Sequence, residues 1–279
     1  CLQKRFESVV PAMRILLLAI IATTFTACTS LPDTRSPVQG SSEHAVKLLE
    51  QSAARAGKPW KRLERVEVAF EGDWTRIVQK LQPELVNAEF RKSSREVYQP
   101  RLKQVNQTHT GPRGIKTVRR TPQSIEVSFT EYRVATETEK DAAALVADAY
   151  TMFVFGADYL LARGQNWRFW PCMMRQEIDG DSCDLIFGTL KPGVGRSDED
   201  QVIAWISQRD RRLRRVQFTL NGLASTVGAD VDVTFDDFQP GPHGTEWPRH
   251  FLETVRRPLT VKAHEWRMTS LTANRARGS

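Results

Sequence analysis

One long apolar helix among short alternating strands is the feature that most limits how this chain can fold. Residues 137 to 162 place Leu145, Ala149, Met152, Phe153, Gly156 and Leu160 on one helical stripe, with Asp141, Asp148 and Asp158 off it. That spacing predicts an amphipathic helix with a wide apolar face. The aspartates argue against a membrane span. Tyr150, Phe155 and Tyr159 broaden the apolar surface beyond one packing seam. Two readings stay open: a helix that covers an apolar ligand, and a core helix with tyrosines at its margin.

The rest of the chain offers strands to pack beneath it. Val66, Val68 and Phe70 alternate with charged neighbours, as do Ile125, Val127 and Phe129. Period two marks a strand with one buried face. Residues 93–109 and 115–120 are polar and β-compatible, which predicts shorter or edge strands, with GPRG at 111–114 a turn. Further strands are predicted at 165–170, 184–190, 201–208, 213–220, 230–238 and 263–272, those at 184–190 and 201–208 apolar on both faces and hence central. The basic run RRLRR at 211–215 predicts a turn into a strand with an exposed basic face. A short helix is predicted over 43–56, with Ser42 as its cap and Gly57 as its stop. The fold class is therefore mainly β with α: a curved antiparallel sheet, an open or half barrel, with helices closing one side.

Compartment is written in MRILLLAIIATTFTACTS, residues 13–30. Ile15 to Ala27 is too short for the roughly 20 apolar residues of a span and suits the core of a secretory signal. Phe25-Thr26-Ala27-Cys28 resembles a bacterial lipobox, which implies cleavage before Cys28, lipidation of that cysteine and a membrane anchor. An ordinary secreted protein cut near Ala27 is the alternative. Thr29, where aspartate favours the inner membrane in such proteins, leans towards the outer membrane. The expected organisation is 1–27 as upstream residues and signal peptide, 28–41 as tether, 42–274 as one β-rich domain and 275–279 as tail. Export makes nucleic acid an improbable partner for the net charge of +7, and points to anionic headgroups or an acidic protein instead. Cys172 and Cys183 flank a turn at Asp179-Gly180, and in an oxidising compartment that placement suggests a disulfide.

Catalytic constellations do not emerge. KPGVGR and GPHG lack the flanking strand and helix of a phosphate loop. Asp236, Asp237, His243, His250 and His264 cluster late in the chain at irregular intervals, which fits strand-face and surface residues better than a metal site. No nucleophile elbow and no His–Glu–x–x–His motif is present. The expectation is no enzyme, no cofactor and no metal.

AWISQRDRRLRRVQFTL, DVDVTFDDFQ and EWRMTSL, within Asp184 to Leu271, resemble the C-terminal half of the lipoprotein-carrier superfamily that includes the Lol carriers and receptors. The resemblance implies an outer-membrane lipoprotein on the periplasmic side of the envelope. It also implies a non-enzymatic half barrel, with helices closed over an apolar cavity for lipid or acyl chains. Met152, Phe153, Trp167, Phe169, Trp205, Phe218 and Phe235 are the expected ligand-lining residues, large and on strand or helix faces that suit a pocket. A barrel filled by its own side chains, acting as a structural or interaction lipoprotein, is the rival expectation.

Overall fold

Period-two alternation becomes a meander of antiparallel strands in the computed structural model, which describes residues 31, 40–130, 132–170 and 176–275. The strands are β1 (Leu63–Trp74), β2 (Ser93–Gln99), β3 (Gln104–Gly111), β4 (Gly114–Arg120), β5 (Ile125–Phe129), β6 (Gly164–Trp170), β7 (Glu177–Ile178), β8 (Asp181–Leu190), β9 (Asp200–Ser207), β10 (Leu213–Thr219), β11 (Asp230–Gly241), β12 (Thr245–Arg257) and β13 (Val261–Arg275). Their spatial order is β5-β4-β3-β2-β1-β13-β12-β11-β10-β9-β8-β6, with β7 paired only to β8. Chain neighbours are sheet neighbours from β1 to β5 and from β7 to β13; the exceptions are β6, which pairs with β8, and β1, which meets β13 over a long ladder from Leu63↔Arg275 to Trp74↔His264. Among the described residues no ladder joins β5 to β6, so the sheet is curved and open.

The two free edges are the strands on either side of one helix. Helices α1 (Ser42–Arg55), α2 (Pro59–Arg62), α3 (Arg76–Leu81) and α4 (Pro83–Val86) precede α5 (Glu137–Arg163), which links β5 to β6. Helix α5 starts on a capping box: the Thr136 hydroxyl accepts from the Glu139 N–H, and the Glu139 carboxylate accepts from the Thr136 N–H, satisfying two otherwise orphaned donors. It breaks at Gly156, whose φ of 53° and ψ of −131° are not helical and are open to glycine alone. Helix α1 is capped by Ser41, one residue before the expected position; its hydroxyl accepts from the His44 N–H at 3.2 Å. The Ser41 carbonyl in turn accepts from the Phe169 N–H at 3.2 Å, occupying a donor of edge strand β6 that would otherwise invite another chain.

Most predicted strands lie where the alternation puts them. The sequence predicts no strand where β12 lies, and Pro248 within TEWPRHFLETVRR speaks against a central one; β12 is nonetheless paired on both sides, with Phe238 opposite Pro248. The RRLRR run is not a free basic face. Arg211 pairs with Asp184, Arg212 with Asp210 and Glu246, Arg214 with Asp181 and Asp210, and Arg215 lies 3.7 Å from Asp232. Cys28 and Cys172 lie outside the described residues, and with them the lipidation and disulfide expectations. Cys183 is buried, and that burial pushes its thiol up to about 12.

Close packing at the β6 edge depends on two missing side chains. A Cβ on Gly164 or on Gly188 would overlap the buried Trp167 indole. Gly188→Ala is expected to destabilise the fold by about 1–3 kcal/mol, the usual cost of overpacking, read as a lower urea midpoint with unchanged slope.

Candidate functional site

The concave face under α5 has two chemically different halves. Towards β8–β13 it is apolar. Val216, Phe218, Val231, Val233, Phe235, Phe251 and Trp266 are inward and buried, and Met152 and Phe153 of α5 descend onto them. Ring centroids of Phe153 lie 5.7 Å from Phe218, 6.3 Å from Phe235 and 6.1 Å from Trp266, within the range of favourable aromatic pairs. A stack of flat rings crosses the sheet face: Trp74 on His264 at 4.1 Å, His264 on Trp266 at 4.4 Å, Trp266 on Phe251 at 5.2 Å. In this conformation the rings fill the space between helix and sheet.

Towards β2–β4 the same face is polar. Register places Phe70, Ser94, His109, Lys116 and Phe129 in one row, and Val68, Glu96, Gln107, Val118 and Val127 in the next. Glu96, Gln107, His109 and Lys116 are all buried. Burial raises the Glu96 carboxyl above its ordinary range, a rise moderated by hydroxyl donors: Ser94 at 2.9 Å, and Tyr98. Burial, with Arg91 and Lys116 nearby, drives His109 well below the usual imidazole value. Burial and Arg91 bring Lys116 down to about 8.

Arg91 sits at the junction of the two halves. It enters from the segment between α4 and β2 and is 8% exposed. Its guanidinium lies 5.1 Å from the Trp74 ring and 4.8 Å from the Tyr150 ring, a cation–π clamp. It is beside the Tyr150 hydroxyl, yet Nη1 and Nη2 are both buried with no hydrogen-bond partner among the described residues. Tyr150 Oη is within 3.1 Å of His264 Nδ1, and His264 is held well below the usual imidazole value by burial and by Arg91. Glu253 faces the same space opposite His264 and is pushed by burial up to about 7. Leaving a buried guanidinium unpaired is costly, so this junction is the least self-sufficient part of the interior. A narrow cleft of about 10 Å³ reaches it from outside past Glu71 and Lys92, with Arg91, Tyr150, His264 and Trp266 as its inner wall; that is room for about one water.

Of the residues expected to line a pocket, Met152, Phe153, Trp167, Phe218 and Phe235 come together in the main core, and Phe169 packs at its margin. Trp205 does not join them. It lies on the convex face with Leu31, Ile178, Cys183, Leu185 and Ile203, its ring 4.9 Å from Arg215. Strand β9 is apolar on both faces, and alternation alone does not tell which face turns inward. The KPGVGR turn is satisfied internally: the Val194 N–H donates to Asp200 at 2.8 Å and the Gly195 N–H to Asp148 at 3.0 Å. Asp148 also takes a two-pronged bond from Arg120, and the floor of a cleft of about 140 Å³ at the open seam is formed there with Trp60, Thr151 and Tyr159. The late histidines separate: His250 bridges Asp236 and Glu265 at 2.8 and 2.9 Å, whereas His264 lies in the ring stack. Sequence reasoning missed Glu96, His109 and Lys116, because a polar residue in a polar strand carries no sign of which face is buried, and it missed Arg91, because the segment before β2 has no period to show what turns inward.

No family model matches the chain, and no curated protein matches it. Solved structures do. A putative outer membrane lipoprotein-sorting protein domain from Vibrio parahaemolyticus is 10% identical, with a TM-score of 0.43 over 84% of this chain and 94% of that one. A LolA superfamily protein from Nitrosomonas europaea is 12% identical, with a TM-score of 0.45 over 83% and 94%. The lipoprotein LppX from Mycobacterium tuberculosis is 18% identical, with a TM-score of 0.28 over 65% and 91%.

Lys116 gives the polar half a measurable signature. Its folded value of about 8 against 10.5 unfolded means the folded chain binds fewer protons between those values. Stability therefore rises with pH through that window, and the full penalty is present below pH 8. Lys116→Met is expected to stabilise the protein at pH 7 by up to about 3 kcal/mol and to flatten the rise between pH 8 and 10.5, as read by urea denaturation at pH 7 and pH 10.

Proposed function

We propose that this chain is a cell-envelope lipoprotein that takes an apolar ligand, a lipid or an acyl group, between α5 and the concave face of its open sheet. The carrying observation is that one helix, α5, is the connection between the two unpaired edges and packs its apolar residues on that face, with α1 beside it. Lifting it breaks no β-ladder, and Gly156 divides it into two segments that can move separately. A ligand tail would take the place of the Met152 and Phe153 side chains against Phe218, Phe235 and Trp266. Methionine adapts readily to such exchange. The reading assigns no reaction to the site. Processing before Cys28 and acylation there would hold the protein at the periplasmic side of the envelope, with Thr29 favouring the outer membrane.

The ring-to-ring packing of Phe153 with its neighbours favours a second reading, a structural or interaction lipoprotein whose half barrel is filled by itself. Ligand binding separates the two. Burying several hundred Å² of an acyl chain at about 25 cal/mol/Å² leaves a useful affinity after ordering costs. The full chain should bind a fluorescent fatty acid at micromolar or lower concentration, and native mass spectrometry after expression in an envelope-bearing host should show co-purified lipid. Absence of both leaves the filled barrel. For the anchor, Cys28→Ser should move the protein from the membrane to the soluble fraction and remove the acyl mass; unchanged fractionation and N-terminal mass would refute lipidation at Cys28.

A further inference from the structure

We infer that the ligand of this site is an acidic amphiphile, whose anionic head is received by the Arg91 guanidinium while its tail lies under α5. The inference rests on the apolar-ligand reading above and adds the chemistry of the head.

Three independent features of the junction carry it. Arg91 is more than nine-tenths buried and both terminal nitrogens lack a partner among the described residues. Those nitrogens form the fork that matches a carboxylate or phosphate. The carboxylates nearby do not fill that role. Glu96 accepts from Ser94 and Tyr98, and although Arg91 attracts both Glu96 and Glu253, neither carboxylate bonds its terminal nitrogens among the described residues. Lys116 and His109 add further donors on adjacent strands, the His109 Nδ1 also buried without a partner.

Position is the second feature. Tyr150 forms one wall of the cleft that reaches Arg91, packs on Phe153 at 5.7 Å and stacks on Trp266 at 5.2 Å. One residue of α5 thus borders both the cationic group and the aromatic core. Shifting α5 to admit a tail widens the cleft that holds room for one water now, so head and tail enter by one movement. Electrostatics is the third feature: a fixed cation in a dry setting strengthens any anion that reaches it.

Binding of matched probes to the full chain tests this below their micellar concentrations. Palmitate and hexadecyl phosphate carry the charge; methyl palmitate has the same tail without it. The expected result is that one or both acids bind at least about 10-fold more tightly than the ester, a difference of about 1.4 kcal/mol. Arg91→Gln should erase that preference, so that the acids bind no more tightly than the ester, and Arg91→Lys should restore part of it. Preference for the phosphate identifies a phospholipid-type head, and preference for the carboxylate a fatty acid. Equal binding of acid and ester to the unaltered protein overturns the anion site and leaves the apolar-ligand reading intact; so does an unchanged preference in a folded Arg91→Gln variant. If no probe binds, both readings fall. Because the comparison on the unaltered protein decides by itself, a variant that fails to fold does not shelter the proposal.

Discussion

An open antiparallel sheet of this length has a concave apolar face that water must not reach, and α5 is the element that keeps it dry. Its position follows from topology: it is the connection between the two edges the sheet leaves unpaired. Strand register, the ring stack and the polar rows all take their meaning from whether they face this helix. The helix also carries a break, since the non-helical Gly156 separates its last two turns from the rest. The β6 edge is met locally, the Ser41 carbonyl at the start of α1 accepting from its Phe169 N–H.

Within that frame, the interior is sorted by strand. Strands β8–β13 present Val, Phe and Trp to α5, and β2–β4 present Glu96, Gln107, His109 and Lys116. A folding requirement alone does not account for the second group, because replacing buried ionisable groups by apolar ones of similar volume is often neutral or stabilising. Glu96 is the best compensated, with two hydroxyl donors. Arg91 is the least, held by ring faces that attract its charge without satisfying its hydrogen-bonding groups.

How much of this was legible follows from where alternation is one-sided. Strands β1, β5, β10 and β11 have one apolar and one charged face, and their inward residues, Val68, Phe129, Phe218 and Phe235 among them, could be named from the sequence. Helix α5 was legible to within a residue from its apolar stripe, although the structure buries it nearly all round, Asp158 included. Strand β9 was found but not its facing: Val202, Ala204 and Ile206 turn inward, and the larger Trp205 drew attention to the wrong side. Strand β12 was not predicted, and Pro248 within it speaks against one. The polar strands β2–β4 could be located, yet their buried row was invisible, because two polar faces give no contrast and burial is decided by what packs over them, the Ala88–Phe90 turn and α5.

That invisibility has a physical side. A polar row is buried when the elements above it gain more than the row loses, and here α5 gains through the aromatic half of the face. The two halves meet on α5: the helix that sets Met152 and Phe153 on the aromatic half also carries Tyr150, which packs against Arg91. Any event that relaxes the aromatic half also relaxes the constraint on the cations, and hydrating them then recovers part of what the lost packing costs. In α5 the helix that must cover the interior is also the one best placed to uncover it.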